Sequence, residues 1–445
     1  MINLPLLRAY PEGSVFAYRD RRPVGMDRFL HDVVQLAELL PERRYIFNLC
    51  GDRYHFVVGF VAALLKRQIS LLPPNQTPAL IDQLKHRYAG VYCLTDGTDP
   101  YRTLETVFYP ALSDACPAPQ STPVIAAEQI AAIVFTSGTT GEPVANEKSW
   151  SSLVRGAAAE LERLGSHIYP GMAVLGTVPP QHMYGLESSV LMVMQGGLAL
   201  HAGRPFYPAD VLDELAALPR ARCLVTTPIH LRALLNEAGS LPPLDLILCA
   251  TAPLSPQVAA AAEHRFAAPL YEIYGCTEAG QVATRRTVET EEWRALPGVH
   301  LRRDEFGTWV GGGHVETEVM LQDVIELRGD ARFLLHGRTA DLVNIAGKRT
   351  SLASLNYHLN SIAGVRDGIF VMPCEADGAA HRLAAFVVAP GLTREAVLDA
   401  LRERIDAAFL PRPLRLVDAL PRNATGKVPR EALRALAAER ITGTG

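Results

Sequence analysis

Thr136-Ser137-Gly138-Thr139-Thr140-Gly141-Glu142-Pro143 follows directly on the apolar run Ala131-Ala132-Ile133-Val134-Phe135. The run reads as a buried strand. A loop of small hydroxyl residues and glycine comes next, and then a chain reversal, which is how a protein wraps a polyphosphate. Glycine lets backbone N–H groups close on phosphate oxygens, and the hydroxyls add donors. No Gly-Lys-Ser/Thr ends the loop, so it is not a Walker A loop. A Ser/Thr/Gly string alone is as often a plain surface loop, so the rest of the chain decides.

The chain has 445 residues, enough for two or three domains, with 48% hydrophobic and 20% charged residues, an ordinary globular composition. Its longest apolar run, Phe56 to Leu65, suits a core helix and is too short to span a membrane. Met1-Ile2-Asn3-Leu4-Pro5 has no basic n-region, so no signal peptide is expected. The seven cysteines are scattered, without Cys-x-x-Cys or His-Glu-x-x-His, which implies neither a disulfide framework nor a structural zinc site. The expected location is the cytoplasm. From residue 338 onward there are 15 Lys+Arg against 11 Asp+Glu, leaving 28 against 36 before it, so the tail is net basic and the rest net acidic. A basic tail suits an acidic partner.

Short apolar runs at Tyr45–Leu49, Ala131–Phe135, Ala173–Val178, Cys223–Thr227, Leu244–Ala250 and Leu270–Ile273 read as strands. Helical stretches, such as Tyr54–Lys66, Leu153–Leu164, Ala209–Ala217, His230–Ala238 and Pro256–His264, lie between them. That alternation predicts an α/β fold with mainly parallel sheets. The tail differs: a strand pair, Gly368–Met372 and Leu383–Val388, then a helix with Val397, Leu401, Ile405 and Ala408 on one face and Thr393 as N-cap. The expected organisation is a large domain over 1–337 and a small α+β domain over 338–445.

Five further segments carry chemistry. Tyr274-Gly275-Cys276-Thr277-Glu278 puts a glycine behind an aromatic, for close approach to a planar ligand, and a carboxylate beyond it that can hold Mg²⁺. Ala250-Thr251-Ala252-Pro253-Leu254 leaves room for a flat base. Gln181-His182-Met183-Tyr184-Gly185 follows Pro179-Pro180. Asp323, Gly337-Arg338 and Asn344-Ile345-Ala346-Gly347-Lys348-Arg349 offer a carboxylate and an arginine, a sensible nucleotide clamp. Near the end, Leu420-Pro421-Arg422-Asn423-Ala424-Thr425-Gly426-Lys427 places a lysine on a turn. Any one of these alone reads as an ordinary turn, loop or solvated face.

Together, in this order, they resemble the acyl-adenylate-forming (ANL) superfamily, from about residue 40 to 430. The resemblance implies ATP and Mg²⁺ as cofactors, and a reaction in two halves. A carboxylate attacks the α-phosphorus of ATP, giving an acyl-adenylate and pyrophosphate, and a thiol then displaces AMP. It implies that Thr136, Ser137, Gly138, Thr139, Thr140 and Gly141 cradle phosphate. Tyr274, Gly275 and the Thr251-Ala252 backbone would enclose adenine. Thr277 would meet the α-phosphate, Glu278 the metal, and Asp323 and Arg338 the ribose. Lys427, His182 and Arg338 would form the catalytic set. The small domain would swing about a hinge after Arg338, bringing Gly347 and Arg349 to the thiol step. Two positions depart from the family pattern: Val144 stands where a lysine usually follows the loop proline, and Ala340 where the hinge is often acidic. Lys148 is a candidate replacement for the missing lysine.

Met183 stands where amino-acid-activating relatives carry an aspartate for the substrate ammonium, which disfavours an α-amino acid. His182, Tyr184, Gly185, Ser188, Met192 and Cys276 would line a compact, mostly apolar site for a flat aryl acid. The chain resembles the 4-hydroxybenzoate:acyl carrier protein ligases of xanthomonadin and aryl polyene pigment pathways, which implies a carrier-protein partner. The arginines at 402, 404, 412, 415 and 422 would steer an acidic carrier. An aryl- or acyl-CoA ligase, and a non-catalytic adenylate-binding relic, remain as alternatives.

Overall fold

The computed structural model describes residues 2–8, 10–11, 13–97, 104–113, 122–137, 143–329, 331–338, 342–345, 348–372, 383–422, 428–429 and 432. Two large sheets dominate. In the first, Ile130–Ser137, Ile69–Leu72, Tyr45–Asn48, Tyr92–Thr95 and Thr106–Phe108 run parallel in that spatial order, and Pro143–Ser149 folds back antiparallel on Ile130–Ser137. The expected reversal after the opening strand is therefore a hairpin.

The second sheet has eleven strands. Its parallel run is Val15–Arg19, Ala199–His201, Ala173–Gly176, Arg222–Thr226, Leu246–Cys249 and Leu270–Cys276. Gly280–Arg285, Trp293–Ala295, Arg332–Arg338 and Asp323–Leu327 extend it antiparallel. The central strands are apolar and buried along their length, as parallel strands covered on both faces must be. The helix Arg53–Leu65, apolar on all sides, packs in one core with strands of both sheets, which is why its sequence shows no polar stripe. Asp52 caps it, accepting from the His55 N–H at 3.0 Å. The α/β architecture expected from the alternation of runs is the one observed.

Beyond residue 342 a separate core gathers Val343, Leu355, Leu359, Phe370, Leu383, Val387, Val397, Leu401 and Leu414. Asp367–Val371 pairs antiparallel with Ala384–Val388, as the tail pattern predicts, and Leu414–Leu416 adds in parallel. Thr393 does cap its helix, accepting from the Ala396 N–H at 3.2 Å. The helix spans only Arg394–Arg402, however. Ile405 and Ala408 lie beyond it, because the chain breaks into a 3₁₀ turn at Ala407–Phe409 that Asp406 caps. Among the described residues no helix is long and apolar enough to cross a membrane.

Candidate active site

Four neighbouring parallel strands, Ala173–Gly176, Arg222–Thr226, Leu246–Cys249 and Leu270–Cys276, deliver their C-terminal ends to one side of the sheet. The segments singled out in the sequence leave from these ends: Thr177 to Gly185, Thr251-Ala252 and Thr277-Glu278. Ligands of open parallel sheets bind in this crevice, outside the carboxyl ends of the strands.

Tyr274 is buried, and its hydroxyl donates to Asp323 Oδ2 at 2.8 Å. Asp323 also stands in register with Arg338 across the antiparallel pair, which brings those two sequence candidates together on the backbone. The side chain of Arg338 lies outside the described residues. Gly275 cannot be replaced without rearrangement, since a Cβ there would stand 2.3 Å from the Gly280 carbonyl oxygen. Thr251 takes a φ of 84°, a region that non-glycine residues seldom adopt and that clusters at ligand sites.

Pro179 to Gly185 is fixed from below by an arginine that the sequence reading missed. Arg53 is fully buried; its Nη1 donates to Ser189 Oγ at 2.6 Å and its Nη2 to the carbonyls of Gly176 and Val178, each at 2.8 Å. Burial lowers its pKa to about 9. Gln181 Nε2 adds a tie to the Cys50 carbonyl at 2.9 Å. His182 then stands at the N-cap position of the short helix Met183–Leu186, its carbonyl accepting from the Leu186 N–H at 2.8 Å. Gly185 is required there, because a Cβ would fall 2.0 Å from the Pro179 oxygen. The Tyr184 hydroxyl donates to the Thr226 carbonyl at 3.2 Å. Ser188 and Met192 are wholly buried, and the Ser188 hydroxyl is engaged between Glu160, at 2.8 Å, and Gln281 Nε2, at 2.9 Å. Cys276 is half-buried at the end of its strand, and burial pushes its thiol up to about 12.

A polar cluster lies beside that short helix, around a pocket that Met183 also lines. Burial raises Glu187 to about 8 and Glu160 to about 7, while it lowers Lys148 and His314. The Lys148 ammonium donates to the Glu278 carbonyl at 2.7 Å, and Val144, at the position the family gives to the loop lysine, is half exposed. Glu160 makes a prediction about stability. A carboxyl whose folded pKa is raised stabilises the fold below its unfolded pKa, and that contribution is lost as pH rises through the folded value. Between about pH 4.5 and 7 the loss amounts to about 3 kcal/mol. Glu160→Gln should flatten this limb, so its gain in Tm over the wild type should be greater at pH 8 than at pH 5. Equal gains at both pH values would show that Glu160 does not ionise in this window.

Thr227, Arg232, Thr251, Ala252, Asn356, Tyr357 and Arg422 line an open cleft of about 100 Å³. Arg422, counted in the sequence among the carrier-steering arginines, is instead mostly buried and forked onto Asp367, with both bonds at 2.7 Å. Arg402 is exposed but paired with Asp399, and Arg404 lies 3.9 Å from Glu403, so this part of the face is nearly neutral. Gly138, Thr139, Thr140, Gly141, Ala340, Gly347 and Lys427 lie outside the described residues, as do the side chains of Ser137 and Arg349. Thr136 ends the described part of the loop approach and is half-buried.

Glu278 is exposed at the rim, a hard oxygen donor on a turn that the strand end fixes. A single carboxylate suits Mg²⁺, which usually keeps several waters and shares one or two protein carboxylates with substrate phosphates.

A switch-point crevice with these loops defines an adenylate-forming, acid-activating enzyme. The chain belongs to the AMP-binding enzyme family, whose model matches residues 37–305. It is 30% identical over 305 residues to a 4-coumarate–CoA ligase of Rhodobacter capsulatus, covering 67% of this chain and 75% of that protein. It is 23% identical over 354 residues to a 3-hydroxybenzoate–CoA/4-hydroxybenzoate–CoA ligase of Thauera aromatica, covering 70% and 67%. Its fold matches that of O-succinylbenzoate coenzyme A synthetase (MenE) from Bacillus subtilis in complex with AMP, with a TM-score of 0.79 at 19% identity over 100% of this chain and 99% of that one. Membership brings ATP and Mg²⁺ as cofactors, as the sequence expects.

Proposed function

We propose that this enzyme activates an aryl carboxylic acid, 4-hydroxybenzoate or a close hydroxybenzoate, and transfers it to the phosphopantetheine thiol of an acyl carrier protein in pigment biosynthesis. The observation that carries the choice of acid is Met183. It is buried at the start of the short helix and offers no charge to an ammonium group. The 4-coumarate and hydroxybenzoate relatives support a flat aryl acid.

Adenylation must bring two anions together. The small domain, taken as residues 338–445, supplies Lys427 to bridge the acid and the α-phosphate. Mg²⁺, when bound at Glu278, offsets phosphate charge. Tyr274 and the Thr251-Ala252 backbone enclose the adenine, and Asp323, oriented by the Tyr274 hydroxyl, takes the ribose with Arg338. His182 borders the carboxylate of the acid, and its loop is held by Arg53.

ATP–pyrophosphate exchange screened over aryl, fatty and amino acids tests the first half. 4-Hydroxybenzoate should exchange best, and exchange with amino acids alone would refute the reading. His182→Ala should raise the KM for the aryl acid more than the KM for ATP; equal losses would misplace the pocket. A second reading, an aryl-CoA ligase, is favoured by the CoA-ligase relatives. Comparing free CoA with a holo-carrier protein as acceptor decides between them.

A further inference from the structure

Lys148 is 7% exposed, an unusual place for a lysine five residues past the proline of the phosphate loop. Its strand pairs with Ile130–Ser137, and the register slips between Lys148, opposite Ala132, and Ser149, opposite Ile130. Such a bulge re-aims a side chain. The ammonium reaches the carbonyl oxygen of Glu278 at 2.7 Å. On the same turn, Glu187 Oε1 accepts from the Gln281 N–H at 3.2 Å. That oxygen also occupies the space beside Gly280, whose φ is 79°; a Cβ there would stand 2.7 Å from it.

The turn after the strand Leu270–Cys276 is thus held at two backbone atoms by two buried side chains, those of Lys148 and Glu187. One of those atoms belongs to Glu278, and a carbonyl held in place fixes the peptide plane from which the residue's carboxylate projects. The lysine borders an open pocket of about 130 Å³ that Met183, Glu187, Glu278 and His314 also line.

We propose that Lys148 is a positioning residue for the metal: by gripping the Glu278 backbone it sets the direction in which the Glu278 carboxylate meets Mg²⁺. The inference rests on the reading of Glu278 as the metal carboxylate. It concerns a group behind the ligand, and such outer partners typically cost about 10–100-fold in metal affinity when removed.

The test reads Mn²⁺ binding by electron paramagnetic resonance, with α,β-methylene-ATP present and no turnover. Lys148→Met should weaken Mn²⁺ binding by about tenfold or more. Removing the lysine alone strands the Glu187 carboxylate. The double variant K148M/E187Q removes both charges and keeps the test open if the single variant does not fold. Combining Lys148→Met with Glu278→Gln should weaken binding no further than Glu278→Gln alone, because the lysine acts only through that carboxylate. If Glu278→Gln weakens Mn²⁺ binding but K148M/E187Q binds like the wild type, or if the two effects add in full, the inference falls and the reading of Glu278 stands. If Glu278→Gln binds Mn²⁺ like the wild type, the reading of Glu278 fails and takes the inference with it.

Discussion

Lys427→Ala is expected to abolish most acyl-adenylate formation while leaving ATP binding largely intact. In the proposed mechanism the lysine acts from the small domain at the reacting oxygens, where negative charge concentrates as carboxylate and phosphate approach. A preorganised donor used mainly in the transition state costs on the order of 10²–10³ in rate when removed. In the same proposal the ground-state contacts to the nucleotide fall to other residues, Tyr274, Asp323 and the Thr251-Ala252 backbone, all on the large sheet and its loops. ATP–pyrophosphate exchange should therefore fall by that factor, with little change in the Kd for ATP. Thioester formation from supplied acyl-adenylate should survive, because that half needs no charge neutralisation between two anions. Near-normal exchange in this variant would remove Lys427 from the mechanism. A Kd for ATP that weakens as much as the rate would make it a binding residue.

The parts of this molecule that follow a period were legible in the sequence. Each short apolar run read as a strand in the first three quarters is one, because a parallel strand covered on both faces needs apolar residues throughout and ends where glycine, proline or a polar loop begins. The crevice loops were legible for the same reason, since they start where those runs stop. Side chains whose role depends on distant partners were not. Arg53 reads as one more charged residue opening a helix, and nothing local says that its acceptors are the carbonyls of Gly176 and Val178. Lys148 reads as a spare phosphate contact, and only the bulge beside it turns it towards Glu278. The arginines of the tail were counted as a charged face; Arg422 is forked onto Asp367 and Arg402 is paired with Asp399, pairings that a count of charges does not contain. The helix expected to reach Ala408 stops at Arg402, and Asp406 caps a 3₁₀ turn beyond it.

The acceptor question sharpens once those pairings are known. If the thiol belongs to an acidic carrier protein, association is steered by unpaired cations, which leaves Arg412 and Arg415 as the residues to reverse. Arg412 is exposed, and Arg415 lies on the edge strand Leu414–Leu416; among the described residues neither has an ion-pair partner. Electrostatic steering raises association rates by about 10–10³-fold and falls steeply with ionic strength. Arg412→Glu with Arg415→Glu should therefore slow transfer to the carrier at least about tenfold at low salt, and the difference from the wild type should shrink as salt screens the face. Pyrophosphate exchange should be unaffected, since neither arginine lines the cleft at the strand ends. The corresponding reversal of Arg402 and Arg404 should do less, because Asp399 and Glu403 already offset them. Single-turnover transfer from preformed acyl-adenylate, measured across a salt series with holo-carrier and with free CoA, separates the readings. A carrier rate that ignores both salt and charge reversal, with free CoA acylated as fast, would make this enzyme an aryl-CoA ligase.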